Sequence, residues 1–206
     1  MASNDRHDHW EAIYGTKSED EVSWFQATPS VSLDLIAREH VGAESKIVDI
    51  GGGASRLVDA LIERGFTHVT VLDIAQAALD RARRRLGARA ASVAWVCSDI
   101  TVWTPGALYD CWHDRAVFHF LTEARDRDAY KERLRAALRP GGTAIIATFA
   151  LDGPERCSGL PIVRYSPQTL AQELGPAFHL LDSTTEDHRT PFGTVQKFQF
   201  SRFRRV

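Results

Sequence analysis

The chain has 206 residues, of which 44% are hydrophobic and 25% charged, with a formal net charge of −2. That length suits one domain with a sizeable core, and the near-neutral balance excludes an electrostatic pull toward nucleic acid or anionic membrane. Met1 to Arg6 lack the apolar stretch of a signal peptide and no run is long enough to span a bilayer, so a cytoplasmic protein without a membrane partner is expected.

In chain order, Trp10, Ile13 and Tyr14 stand at helical spacing in an N-terminal segment, and His7-Asp8-His9 reads as a solvated helix start. Residues 20–29 read as loop, and 30–41 as a helix with Leu33, Ile36 and Ala37 on one face. A first strand at 46–50 runs into Gly51-Gly52-Gly53, and a helix at 55–65 follows at once. Glycines there permit a tight turn and close approach of a ligand to backbone N–H groups. A second strand at 68–72 ends in Asp73, about where an acid can accept from both hydroxyls of a ribose. The helix at 76–86 carries Arg81, Arg83, Arg84 and Arg85, read as its solvated face and a last turn suited to the helix dipole.

Strands are expected at 93–98 and 108–113, with helices at 116–121 and 124–138. Arg139-Pro140-Gly141-Gly142 should stop the long helix and turn into a strand at 143–149. After a helix at 167–174, strands at 178–183 and 194–203 have no helix between them. They should form an antiparallel hairpin around a connection at 186–193. Alternation up to that hairpin implies an α/β fold, a parallel sheet with helices on both faces. Cys97, Cys111 and Cys157 lack metal-ligand spacing, so no metal is expected; Cys97 and Cys111, in apolar strands, read as buried free thiols.

The glycine spacing separates cofactor classes. A dinucleotide fingerprint needs a third glycine where Arg56 stands. What remains, Asp49-x-Gly51-x-Gly53-x-Ser55 with Asp73 after the next strand, resembles the first motif of class I S-adenosylmethionine (SAM) methyltransferases. The usual third glycine of that motif is replaced by Ser55, a small residue able to cap the following helix. The run Asp114-Arg115-Ala116-Val117 and the pattern His9-Trp10, Tyr14 and Val22-Ser23-Trp24-Phe25-Gln26 resemble the thiopurine and thiol S-methyltransferase group. They also resemble the elongation-factor lysine methyltransferases, where Asp-Lys-Gly replaces Asp-Arg-Ala.

This resemblance implies a seven-stranded Rossmann-like methyltransferase sheet of order 3-2-1-4-5-7-6, the last strand antiparallel, with helices on both faces. It implies one domain over 1–206, with 1–41 a helical cap over the cofactor site. Asp73 would hold the ribose hydroxyls, Ile74 would pack on adenine, Asp99 would accept from the adenine amino group, and Ile100 would donate its backbone N–H. Gly51 and Gly53 would admit the methionine part, Asp49 and Asp114 would complete the cofactor set, and Tyr14 or Trp24 would face the sulfonium. His119, one helical turn past Arg115, should share the cleft with it, and the two are the candidate catalytic residues, with His188 as an alternative base. The expected acceptor is a small molecule with a sulfur or nitrogen nucleophile, and the protein a monomer or weak homodimer. A protein-lysine methyltransferase, an NAD-dependent oxidoreductase and a non-catalytic SAM-binding module are the alternatives.

Overall fold

The computed structural model describes residues 3–39 and 41–206, with side chains from residue 5 onward; of the anticipated 1–41 cap, residues 1, 2 and 40 lie outside the described residues. Strands β1 (Lys46–Ile50), β2 (His68–Asp73), β3 (Val93–Cys97), β4 (Tyr109–Arg115) and β5 (Leu138–Phe149) are mutually parallel. A two-residue pair, β6 (Arg156–Cys157) and β7 (Leu160–Pro161), stands apart, and β8 (Phe178–Arg189) and β9 (Val195–Arg205) complete the main sheet. Its order is β3-β2-β1-β4-β5-β9-β8. β9 is antiparallel to both β5 and β8, so it alone runs against the other six. With the sheet's own strands counted in sequence, this is the expected 3-2-1-4-5-7-6.

Alternate strand residues feed opposite faces, as the pleat requires. Val48, Trp112 and Ile146 pack on one face against Tyr130 and Leu134 of α5 (Ala124–Ala137) and Leu170 and Leu174 of α6 (Pro167–Leu174). Their neighbours Ile47, Cys111 and Ile145 pack on the other, against α2 (Ser30–Arg38), α3 (Leu57–Glu63) and α4 (Gln76–Leu86). Burial on both faces explains why β1 and β2 read as continuous apolar runs. α1 (Ser3–Thr16) lies against α4.

Three boundaries depart from the sequence reading. β5 begins at Leu138 rather than 143: Leu138 pairs with Tyr109 and Thr143 with Cys111, so Arg139 to Gly142 form a bulge within the strand, with Gly141 at φ 74°. The expected helix at 116–121 is a single 3₁₀ turn over Phe118–Phe120, preceded by Ala116 at φ 74°. β8 extends to Arg189, so Asp187, His188 and Arg189 belong to a strand and the connection is only 190–194. Cys111 is buried as expected, whereas Cys97 is exposed.

Candidate functional site

The carboxyl ends of β1 to β4 converge on a largely apolar cleft that also carries Asp73, Asp99 and Arg115. Its floor is the turn after β1, where the N–H groups of Gly51 and Gly52 donate to Leu72 O at 2.7 and 3.2 Å. Each glycine makes room for a neighbour. Gly51 has φ 66°, and a Cβ on it would overlap Val117 Cγ2; a Cβ on Gly52 would strike Asp49 Oδ2, and one on Gly53 would strike Asp73 Oδ2. The loop is thus moulded around the two acids that flank it.

Asp73 is 5% exposed, and its Oδ1 accepts from the Ala75 N–H at 2.9 Å. Burial, reinforced by the negative charge of Asp49, pushes its pKa up to about 7. Ile74, Asp99, Ile100, Arg115, Tyr14, Trp24 and Gly51 line the same cleft. Asp99 is already engaged: Oδ1 accepts from the Thr101 N–H and hydroxyl at 2.9 and 2.8 Å, and Oδ2 accepts from Arg6 at 2.8 Å.

The cap closes the cleft with aromatic rings. Trp10 packs edge-on against Trp24 and Phe120, with centroids 5.6 and 5.1 Å apart, and Trp24 Nε1–H donates to the Tyr14 hydroxyl at 3.1 Å. Arg6 anchors α1 by pairing with both Asp99 and Asp126. The Glu11 carboxylate accepts from the Ala77 N–H in the first turn of α4, and Arg81 donates to Tyr14 O at 2.6 Å. Two of the arginines read as a solvated face are therefore structural ties. Arg85 binds Asp59 and Glu19 and donates to the carbonyls of Ala54 and Ser55 at 3.0 and 2.7 Å, stitching the glycine turn to the cap.

Several anticipated residues lie elsewhere. Gly53 borders neither cavity described here and acts through the space it leaves Asp73. Asp114 is fully buried; its carboxylate accepts from the Val117 and Phe118 N–H groups and the Tyr130 hydroxyl, which pins the loop instead of reaching a ligand. His119 is also fully buried, lies between Phe120 and Phe149, and does not border the cleft. Desolvation, aided by Arg115, lowers its pKa to about 3. Because residues 116–121 form a 3₁₀ turn after a left-handed residue, the one-turn spacing that was to join His119 to Arg115 does not apply. His188 donates from Nε2 to Ser23 O at 2.7 Å and lines a separate shallow groove. No residue of 186–193 borders the main cleft; Cys157 and Phe198 do, and burial raises the Cys157 thiol to about 12.

Sequence reasoning missed Arg6, which depends on tertiary placement, and Phe198, for which the alternation of apolar and polar residues in Phe198-Gln199-Phe200-Ser201 was the only signal.

A smaller cavity adjoins the first under Gly51 and Gly52, bordered by Asp49, His113, Arg56 and Arg115. His113 bridges two neighbours: Nδ1–H donates to Asp49 Oδ1 at 2.7 Å, and Nε2 accepts from the Ser32 hydroxyl at 2.8 Å. No helix of the described residues is long and apolar enough to cross a membrane.

The methyltransferase-domain family matches residues 47–142. Among solved structures, the chain is similar to the 1,6-didemethyltoxoflavin-N1-methyltransferase of Burkholderia thailandensis, solved with that substrate and S-adenosylhomocysteine bound. The two are 20% identical with a TM-score of 0.71, covering 100% of this chain and 91% of that one. It is similar also to the N-methyltransferase NodS of Bradyrhizobium japonicum, in complex with S-adenosylhomocysteine, at 18% identity and TM-score 0.72 over 100% and 99% of the chains. A SAM-dependent methyltransferase from Anabaena variabilis matches at 14% identity and TM-score 0.78 over 100% and 96%. With β9 inserted antiparallel between β5 and β8, the chain has the fold of these SAM-dependent methyltransferases, and its residues 47–142 match the methyltransferase-domain family.

Proposed function

We propose that the protein transfers a methyl group from SAM to a sulfur or nitrogen nucleophile on a small molecule. The observation that carries this reading is Asp73, a buried carboxylate at the end of β2 on the wall of the cleft, with Ile74 beside it and Ile100 across from it. Its lone pairs suit a ribose diol, and the two isoleucines suit the faces of an adenine ring. Asp99, held by Arg6 and Thr101, stands on the same cleft wall, and a carboxylate there suits an adenine amino group. SAM supplies the activated methyl on positive sulfur; Tyr14 and Trp24 offer π faces for that charge and, with Trp10, exclude water.

The acceptor class follows from what the cleft lacks. Its titratable lining groups are Arg6, Tyr14, Asp73, Asp99, Arg115 and Cys157. Burial raises Tyr14 above its usual range and Cys157 to about 12, and His119 is out of reach, so among the described residues no imidazole borders the cleft. Transfer then rests on alignment, and an amine lone pair or a thiolate reacts without a protein base, whereas an alcohol does not. Two of the similar structures are of N-methyltransferases, which supports a small acceptor.

Calorimetry with S-adenosylhomocysteine and NAD in parallel, followed by a methyl-donor assay on a panel of thiols, amines, alcohols and peptides, tests the reading. Binding of S-adenosylhomocysteine alone and turnover of a thiol or amine are expected. NAD binding, or turnover confined to alcohols or to peptide lysine, would overturn it.

A further inference from the structure

The tip of the β8–β9 hairpin is tightly hydrogen-bonded and presents an aromatic ring to water. Over residues 190–194 the Thr190 N–H donates to Thr194 O at 2.9 Å and the Gly193 N–H to Thr190 O at 3.0 Å. The N–H groups of Phe192 and Thr194 both donate to the Thr190 hydroxyl at 3.2 Å, and Gly193 at φ 83° completes the turn. Thr190 is buried, yet Phe192 is 65% exposed, the one aromatic ring among the described residues left mostly in solvent. Val195 beside it is exposed as well. The turn holds the ring outward, and covering it with another molecule would remove its apolar surface from water. Beside the tip runs the shallow groove bordered by Asp20 and Phe25 of the cap and by Arg189 and Pro191 of the hairpin. Its two charges are unlike and unspent. Asp20 accepts from the Ser18 hydroxyl but is in no ion pair, and Arg189 has neither a hydrogen-bond nor an ion-pair partner among the described residues.

We propose that this face joins two copies of the chain in a reversible two-fold dimer, with Phe192 of each copy seated in the groove of the other and Arg189 of each paired with Asp20 of the other. A knob and a groove side by side, flanked by an acid from the cap and a cation from the hairpin, are complementary to themselves under a two-fold axis, which is what a second copy supplies. Each contact then occurs twice. The patch is one hairpin tip and one cap loop, so the association belongs at the weak, transient end of interfaces. It reaches the cleft through the cap. Phe25 borders the groove while its neighbour Trp24 borders the cleft, so a partner hairpin resting on Phe25 backs the loop that carries Trp24. The dimer needs no cofactor and stands apart from the methyltransferase reading.

The test is sedimentation equilibrium of the full chain. Wild type should pass reversibly from one copy to two as its concentration rises through the micromolar range, and go no further, because a two-fold interface closes on itself. Phe192→Ser should weaken association about tenfold or more, the scale of a truncated aromatic anchor. Arg189→Asp and Asp20→Arg should each weaken it too, since each sets like charges against one another at both contacts. An equimolar mixture of those two variants should associate again, and more tightly than either alone. In the mixed dimer one contact keeps the natural pair and the other carries the same pair reversed. All three positions are exposed, and circular dichroism checks that each variant keeps the fold. A wild type that stays monomeric or grows past two copies, a dimer that Phe192→Ser leaves intact, or a mixture no more associated than its components would overturn the two-fold interface.

Discussion

Asp73 should make cofactor affinity depend on pH. The folded, unliganded protein holds its carboxyl proton up to about pH 7, far above the ordinary value near 3.8. A ribose diol donates two hydrogen bonds and is best received by the ionised form, so binding below pH 7 requires release of that proton. The sign follows: affinity rises with pH up to about 7 and then levels. Each pH unit below 7 costs a factor of ten, about 1.4 kcal/mol, so the affinity at pH 5 should lie about a hundredfold below that at pH 8. Calorimetry with S-adenosylhomocysteine across pH 5–8, in two buffers of different ionisation enthalpy, reads both the affinity and the proton released. Near pH 6 close to one proton should leave per ligand bound. A flat affinity profile, or a profile that persists unchanged in Asp73→Asn, would refute the ribose assignment.

The same carboxyl lowers stability in neutral solution. The unfolded chain ionises near pH 4 and the folded state near 7, so stability falls across that window by up to about 4 kcal/mol. Asp73→Asn should therefore have a higher urea midpoint than wild type at pH 8, with the two converging below pH 4. His119 runs the other way: its folded pKa of about 3 lies below the unfolded 6.5, so stability is lost as pH falls from 6.5. His119→Leu should remove about 2 kcal/mol of the difference in unfolding free energy between pH 7 and pH 5, and leave the pH dependence of turnover unchanged. A changed pH–rate profile would restore His119 to the mechanism. Ala116, at φ 74°, carries the cost of a left-handed residue; Ala116→Gly should stabilise by about 0.5–1 kcal/mol in thermal or urea unfolding, and a clear loss would contradict that conformation.

The parts of the site legible in the sequence are those set by backbone demands. Gly51 to Gly53 had to be glycines because Val117, Asp49 and Asp73 occupy the space of their Cβ atoms, and Asp73, as the last residue of β2, is delivered to the rim by that strand. The parts that escaped depend on contacts between distant segments. Arg6 reads as one charge in a polar terminus until Asp99 and Asp126 are seen beneath it. Arg85 reads as a dipole-compensating end residue, yet it reaches Ala54, Ser55 and Glu19. His119 was misplaced because a spacing argument borrowed helix geometry for a segment that Asp114 folds into a tighter turn. The strand boundary at Leu138 was hidden by Pro140-Gly141-Gly142, a turn signal that here makes a bulge and not an end.

The position of β9 governs the order in which the molecule can be completed. It is the last strand of this sheet to be synthesised, yet it belongs inside the sheet between β5 and β8. Until it arrives, β5 presents a bare edge whose residues Ala144 to Phe149 are all fully buried in the finished protein, and β8 has no neighbour. Such an edge is a template for pairing with another nascent chain. Phe198 and its ring contact with Arg115 are also missing at that stage, so the cleft acquires its last wall only on insertion of β9. Cofactor capture and escape from aggregation therefore hang on the same late event, and a ligand that binds the closed cleft would act as a folding aid as well as a methyl donor.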